Sequence, residues 1–192
     1  FMLLLGFSSG LPVALTSSTL QAWYAVDGAS LVVIGFLNLV GQPYVYKFLW
    51  APVLDRYIPP FLGRRRGWVL ITQLLLVIAI ALMAGFTPSA HPYALASLAL
   101  AVAFLSASQD ISLDAYRTDI LEPEERALGS AVWISGYRIA MLVSGGVALL
   151  LAQYFGWQVT MLVMSACMFV GIVTIFFAET PNNDRDVPAS MA

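Results

Sequence analysis

Asp110, Asp114 and Arg117 close an uncharged run, residues 93–109, at spacings of four and three. Those spacings put all three on one face of a single helix. The chemistry open to such a set is that of protons and ions: carboxylates that gain or lose a proton, with a guanidinium one turn away. A charged side chain in the hydrocarbon layer costs about 2.5–3.5 kcal/mol even on a lenient insertion scale, so it faces a protein interior or a water-filled cavity and marks a path for ions, protons or substrate. Asp114 and Arg117 also fit a simpler role, solvated at the cytoplasmic headgroup level and paired with each other. Asp110 lies about one helical turn deeper, and for it a functional role is the expectation. Two further charges interrupt apolar runs, Lys47 and Arg138. Antiparallel neighbours joined by a short loop would bring Asp110 and Arg138 to similar depth. Arg138 is therefore the expected partner of Asp110, with Lys47 as the alternative, although Lys47 is also close enough to the end of its run to snorkel. A paired Asp and Arg serves structure alone, by avoiding two isolated charges, and equally serves a carrier whose carboxylate responds to its partner.

The elements that must hold these residues are membrane spans. Hydrophobic residues make up 60% of the chain and charged residues 10%, well below the roughly 25% charged of soluble domains. The net charge of −2 gives no reason to expect a nucleic-acid partner. At about 20 residues per crossing, the sequence divides into six spans, at about residues 1–26, 31–54, 68–86, 93–118, 128–152 and 158–178. Residues 180–192 form a polar tail or the start of a linker. The expected fold class is an all-α membrane protein, a six-transmembrane-helix bundle. Gly6 and Gly10 are spaced for close helix approach, and Pro123 is expected to open the fifth helix. Asn38, Gln42 and Tyr46 recur every four residues as a polar stripe, which cannot face lipid cheaply. With Gln21, Trp23 and Gln109 they form the candidate lining of a substrate cavity. The loop after the second span holds Asp55, Arg56, Gly63, Arg64, Arg65 and Arg66. All Lys and Arg outside the hydrophobic runs lie in the loops after spans two and four or in the tail, which places both chain ends in the cytoplasm. The single His91 is expected in a solvated turn. No His or Cys cluster has metal-ligand spacing and no Ser/His/Asp set is visible, so neither a metal site nor an enzyme is expected.

Asp55-Arg56 and Gly63-Arg64-Arg65-Arg66, between the second and third spans, resemble the loop signature of major facilitator superfamily transporters. Residues 57–62 separate the two halves, and this departure is similar to one branch, the AmpG-type muropeptide permeases. Residues 6–12, 20–23, 47–50, 55–57, 63–68, 106–110, 136–138 and 141–146 resemble that branch as well, so the likeness runs through nearly the whole chain. The resemblance implies a proton-coupled carrier of the bacterial inner membrane that imports 1,6-anhydromuropeptides for peptidoglycan recycling, linked in some bacteria to β-lactamase induction. It implies no cofactor beyond the proton gradient. It also implies that this chain, which begins at Phe1 rather than Met, is the N-terminal six-helix half of the superfamily fold. The partners would be a small glycopeptide, membrane lipid and a second six-helix bundle, with the cavity between the bundles. Acetyl-coenzyme A carriers and other small-solute carriers of the superfamily share these motifs. A non-transporting scaffold or receptor is the alternative from another class; its embedded charges would only hold helices together, and neutral replacements would leave function intact.

Overall fold

Apolar runs in lipid must satisfy their own amides and carbonyls, and they do so by winding into helices. The computed structural model describes residues 1–179 and contains six helices long and apolar enough to cross a membrane. They are α1 (Met2–Val26), α2 (Leu31–Leu49), α3 (Gly63–Met83), α4 (Pro92–Ile120), α5 (Arg126–Phe155) and α6 (Trp157–Phe177). The expected tail at residues 180–192 lies outside the described residues.

The tightest seam joins α1 to α5, and glycine makes it. A Cβ on Gly6 would collide with the backbone carbonyl of Trp133, one on Gly10 with that of Tyr137, and one on Gly136 with that of Leu3. The two backbones therefore touch directly, as small residues permit in membranes. Both helices carry one wider π-helical turn, Leu15–Thr19 in α1 and Val143–Val147 in α5. The two turns meet, because the Thr19 hydroxyl donates to the Ser144 carbonyl at 2.5 Å. Further out, Trp23 stacks on Trp157 with ring centroids 5.2 Å apart. One apolar core cluster, including Leu11, Leu76, Leu95 and Met161, fills the bundle; a second, around Leu5, Leu113, Tyr116, Trp133 and Ile175, fills its other end.

Burial is uneven. In the apolar windows of α2 and α5 only 17% and 22% of residues are buried, against 67% in α1, so these two spans keep broad faces uncovered by this chain. The second span is also not one regular helix. Tighter 3₁₀ turns at Leu37–Gly41 and Lys47–Leu49 interrupt it, and a short helix, Ala51–Arg56, continues it. Pro43 and Pro52 lack the amides that would bond to the Leu39 and Phe48 carbonyls, which accounts for both breaks.

Two expected boundaries are corrected. The arginines Arg64, Arg65 and Arg66 are not loop residues but form the first turn of α3, entered through Leu62 in the left-handed region at φ 59°. A helix N-terminus is a poor place for cations, and the carboxylates of other spans offset the cost. Arg65 pairs with Asp55, and through Nε with Asp119 at 3.2 Å. Arg66 reaches across to donate to the Ile175 carbonyl at 2.8 Å and to that of Phe176 at 3.2 Å, at the C-terminal end of α6 where positive charge is favoured. Pro123 does not open α5. It sits in a turn in which Glu125 N donates to the Glu122 carbonyl at 2.9 Å, and the helix begins at Arg126, because Pro pre-sets the backbone for such a turn as readily as for a first helical residue. At the opposite end of the bundle the Ser89 amide donates to the Asp27 carboxylate at 2.6 Å, tying the turns after α1 and α3 together.

Candidate functional site

Asp110 lies where four spans converge. The Ser9 hydroxyl of α1 donates to its Oδ1 at 2.6 Å. Lys47 of α2 and Asp114 of α4 are the charged groups near enough to act on it, and Tyr137 of α5 stands beside it. Around this carboxylate α1 contributes a donor, α2 a cation and α5 a phenol, which no single helix could do. One turn along, Asp114 takes an ion pair from Lys47 at 3.7 Å and a contact from Arg117 at 3.3 Å. The Arg117 guanidinium also lies over the Trp133 ring, 5.2 Å from its centroid, so both its charge and its flat face are used. The result is a ladder of alternating charge from Asp110 toward the α4 C-terminus.

Behind the ladder is an uncharged knot. The Ser8 hydroxyl donates to Gln73 Oε1 at 2.8 Å and accepts from Gln109 Nε2 at 3.1 Å, while Gln73 Nε2 donates to the Met168 carbonyl at 2.6 Å. Gly171 makes room for it, since a Cβ there would strike Ser8 and Gln73. Four spans, α1, α3, α4 and α6, are thereby fixed around one set of polar side chains. Such a fully enclosed network is costly when broken and specific when complete.

The expected partner of Asp110 is corrected by this geometry. Among the described residues Arg138 makes no ion pair, with Asp110 or with any other group; it is exposed on α5. The helix seam turns Gly136, Tyr137 and Ala140 toward α1, and the next residue around the helix from Tyr137 is left outside. Lys47, the alternative, is ion-paired to Asp114 and acts on Asp110 from a greater distance. Two cavity candidates are corrected too. Gln109 is fully buried in the knot, and Trp23 is 2% exposed against Trp157. Gln21, Asn38, Gln42 and Tyr46 remain at least partly uncovered, and Gln21 Nε2 donates to Asn38 Oδ1 at 3.0 Å. Of the loop signature, Asp55, Arg65 and Arg66 clasp the ends of the second, third, fourth and sixth spans, while Arg56 is exposed and Arg64 half-buried. Gly63 starts α3 at φ 75°. Ser8, Ser9, Gln73, Tyr44 and Tyr137 were not singled out from sequence as site residues. Ser8 and Ser9 were visible as polar residues in an apolar run, but Gln73 and the tyrosines gave no signal of their own.

These features define the class: a multi-pass membrane protein with a polar, charge-bearing centre between its spans. The family model of the Major Facilitator Superfamily matches residues 2–191, and the chain belongs to that family. It is 52% identical over 191 residues to the anhydromuropeptide permease of Escherichia coli (strain K12), covering 99% of this chain and 39% of that protein. It is 45% identical over 180 residues to an uncharacterized protein of Haemophilus influenzae, covering 93% of this chain and 42% of the relative. It is 32% identical over 188 residues to putative transporter AmpG 1 of Rickettsia prowazekii, covering 96% and 42%. The chain thus spans about two fifths of the length of the curated relatives it matches, and its six spans are consistent with half of a superfamily fold. The relatives that carry a functional name are named as a permease and a transporter, consistent with a protein that is not an enzyme.

Proposed function

We propose that the chain is part of a proton-coupled carrier that brings anhydromuropeptides across the bacterial inner membrane into the cytoplasm for peptidoglycan recycling, and so bears on β-lactamase induction. The observation that carries the reading is Asp110, a half-buried carboxylate held by Ser9 and flanked by groups from α2, α4 and α5. A carboxylate whose hydrogen-bond donor and nearest cation sit on different helices changes its hold on a proton when those helices move. That is the property needed to couple proton movement to rocking of one bundle against another. The uncovered faces of α2 and α5 support a second six-helix bundle as partner, with the substrate between the two. Asn38, Gln42 and Tyr46 on α2 and Arg138 on α5 are the exposed polar groups suited to sugar hydroxyls and to the carboxylates of a peptide stem. The 52% identity to a relative named anhydromuropeptide permease supports this substrate over acetyl-coenzyme A. Proteoliposomes of the full-length protein, given an inward proton gradient, are expected to accumulate labelled anhydromuropeptide and not labelled acetyl-coenzyme A; the reverse preference would overturn the assignment.

The same reading fixes sidedness. With basic residues gathered at the end that holds Asp55, Arg65 and Asp119, that end faces the cytoplasm and the Asp27–Ser89 end the periplasm. In a Cys167→Ser background, an impermeant thiol reagent added outside cells is expected to label Ser89→Cys and to spare Phe61→Cys. Labelling of residue 61 alone would invert the topology.

A further inference from the structure

Three buried polar atoms near Asp110 have no hydrogen-bond partner among the described residues: Tyr44 Oη, Ser106 Oγ and Gln109 Oε1. Ser106 is 1% exposed and Gln109 0%. Both stand within about one turn of Asp110 on α4, at spacings of four and one, so the three project into the same sector of the helix. Tyr44 crosses from α2, and its hydroxyl comes within weak hydrogen-bonding reach of Ser106 and Thr16, without a well-formed bond to either, and within electrostatic reach of Asp110 and Tyr137. The nearest hydrogen donors are partly committed elsewhere. The Thr16 hydroxyl gives its proton to the Pro12 carbonyl at 2.8 Å and so can only accept, and the Gln109 amide nitrogen gives one of its two hydrogens to Ser8. Pro12 adds to the demand, since it has no amide hydrogen and leaves the Ser8 carbonyl without its helical donor.

Buried polar groups are almost always satisfied, by protein or by ordered water. Here two hydroxyls can each donate and accept, while the Gln109 oxygen can only accept. That mixture suits water, which needs several polar partners of both kinds. A metal ion would ask for a fuller shell of inward-facing oxygens, and the Lys47 ammonium would oppose it.

We infer that Tyr44, Ser106 and Gln109 hold bound water on the inner side of Asp110, between α1, α2 and α4. Its purpose rests on the proton-coupling reading: water at this place gives the Asp110 carboxyl a hydrogen-bonded route for its proton that the side chains, set a turn apart, do not supply. The titratable groups around the route are Lys47 and Tyr44 from α2, Asp114 from α4 and Tyr137 from α5, while α1 offers only the hydroxyls of Ser9 and Thr16.

Radiolytic hydroxyl-radical labelling in oxygen-18 water, on the full-length protein in proteoliposomes, tests the site. Radicals formed from bound water modify the side chain next to it, however deeply that side chain is buried. Tyr24 and Tyr116 are the references, because both are about 1% exposed and their hydroxyls are bonded to the Pro92 and Glu179 carbonyls at 2.6 and 2.8 Å. Tyr44 is expected to take up label several-fold faster than either. Ser106→Val, or Gln109→Leu where the first variant is poorly folded, is expected to slow Tyr44 toward the reference rate by filling the space and removing a partner. Labelling of Tyr44 at the reference rate in the unaltered protein would show a dry, direct Tyr44–Ser106 contact and overturn the inference. Fast labelling unaffected in a folded variant would assign it to bulk water and overturn it equally. Either result leaves proton coupling at Asp110 standing, whereas normal gradient-driven uptake by an Asp110→Asn protein removes the coupling and leaves the water.

Discussion

Asp110→Asn is expected to reduce proton-gradient-driven uptake of anhydromuropeptide to background while the protein still inserts and reaches normal abundance. Asn keeps the shape and still accepts from Ser9, so the fold around it stands; only the titratable group is lost. Exchange of labelled for unlabelled substrate at equal pH is expected to survive, because that half of the cycle moves no net proton. Ser9→Ala should show a milder form of the same defect, since a hydrogen bond to a charged group contributes about 1.5–3 kcal/mol and Lys47 remains in place. Arg138→Gln should not rescue the Asp110 change: the two residues are not ion-paired, so neutralising both leaves the defect in place. Uptake at the normal rate in a well-expressed Asp110→Asn protein would end the coupling role.

The second large effect is on stability. Gly136→Ala drives a methyl group into the Leu3 carbonyl, backbone against backbone, with no flexible side chain to yield. Overpacking of this kind costs about 1–3 kcal/mol, and because 1.4 kcal/mol is a factor of ten, the ratio of folded to unfolded protein should fall by roughly an order of magnitude. Gly146→Ala, ten residues on in the same helix, is the control. A Cβ there meets nothing within 4 Å, and Ala is the better helix former by about 1 kcal/mol. Thermal unfolding in detergent should therefore show a lowered Tm for the first variant and an unchanged or raised one for the second. Equal losses would mean that the π-helical turn itself, rather than the α1–α5 seam, is what glycine protects.

Much of this architecture can be read from the chain because lipid punishes exceptions. Six apolar runs, punctuated by turns and charges, have few alternatives to six helices, and Asp110 stood out as a carboxylate at depth. The resemblance carried by the Asp55 and Gly63 motifs pointed to the right family. What stayed hidden depends on which faces meet between helices far apart in sequence. Ser8, Gln73 and Gln109 are 65 and 101 residues apart along the chain, and nothing local marks them as a unit. Arg138 was matched to Asp110 by depth, but depth says nothing of rotation about a helix axis, and the glycine seam turns Arg138 outward. The arginines after Gly63 read as loop because they are charged; they are helical, with carboxylates and carbonyls of three other spans receiving Arg65 and Arg66. The breaks in α2 were legible in Pro43 and Pro52, and would have shown that a spacing of four along that span does not trace a straight stripe.

The paired wide turns of α1 and α5 bear on how this gene can change. Each π-helical turn accommodates about one residue more than an α-helix would, and the two lie side by side, joined by Thr19 and Ser144. Loss of one codon from residues 15–19 would let that turn close as ordinary α-helix with Trp23 still facing Trp157, whereas loss of one from an α-helical stretch of α1 would rotate everything beyond it by about 100°. Single-residue length changes are therefore absorbed within the two wide turns, and anywhere else in either span they would break the α1–α5 seam.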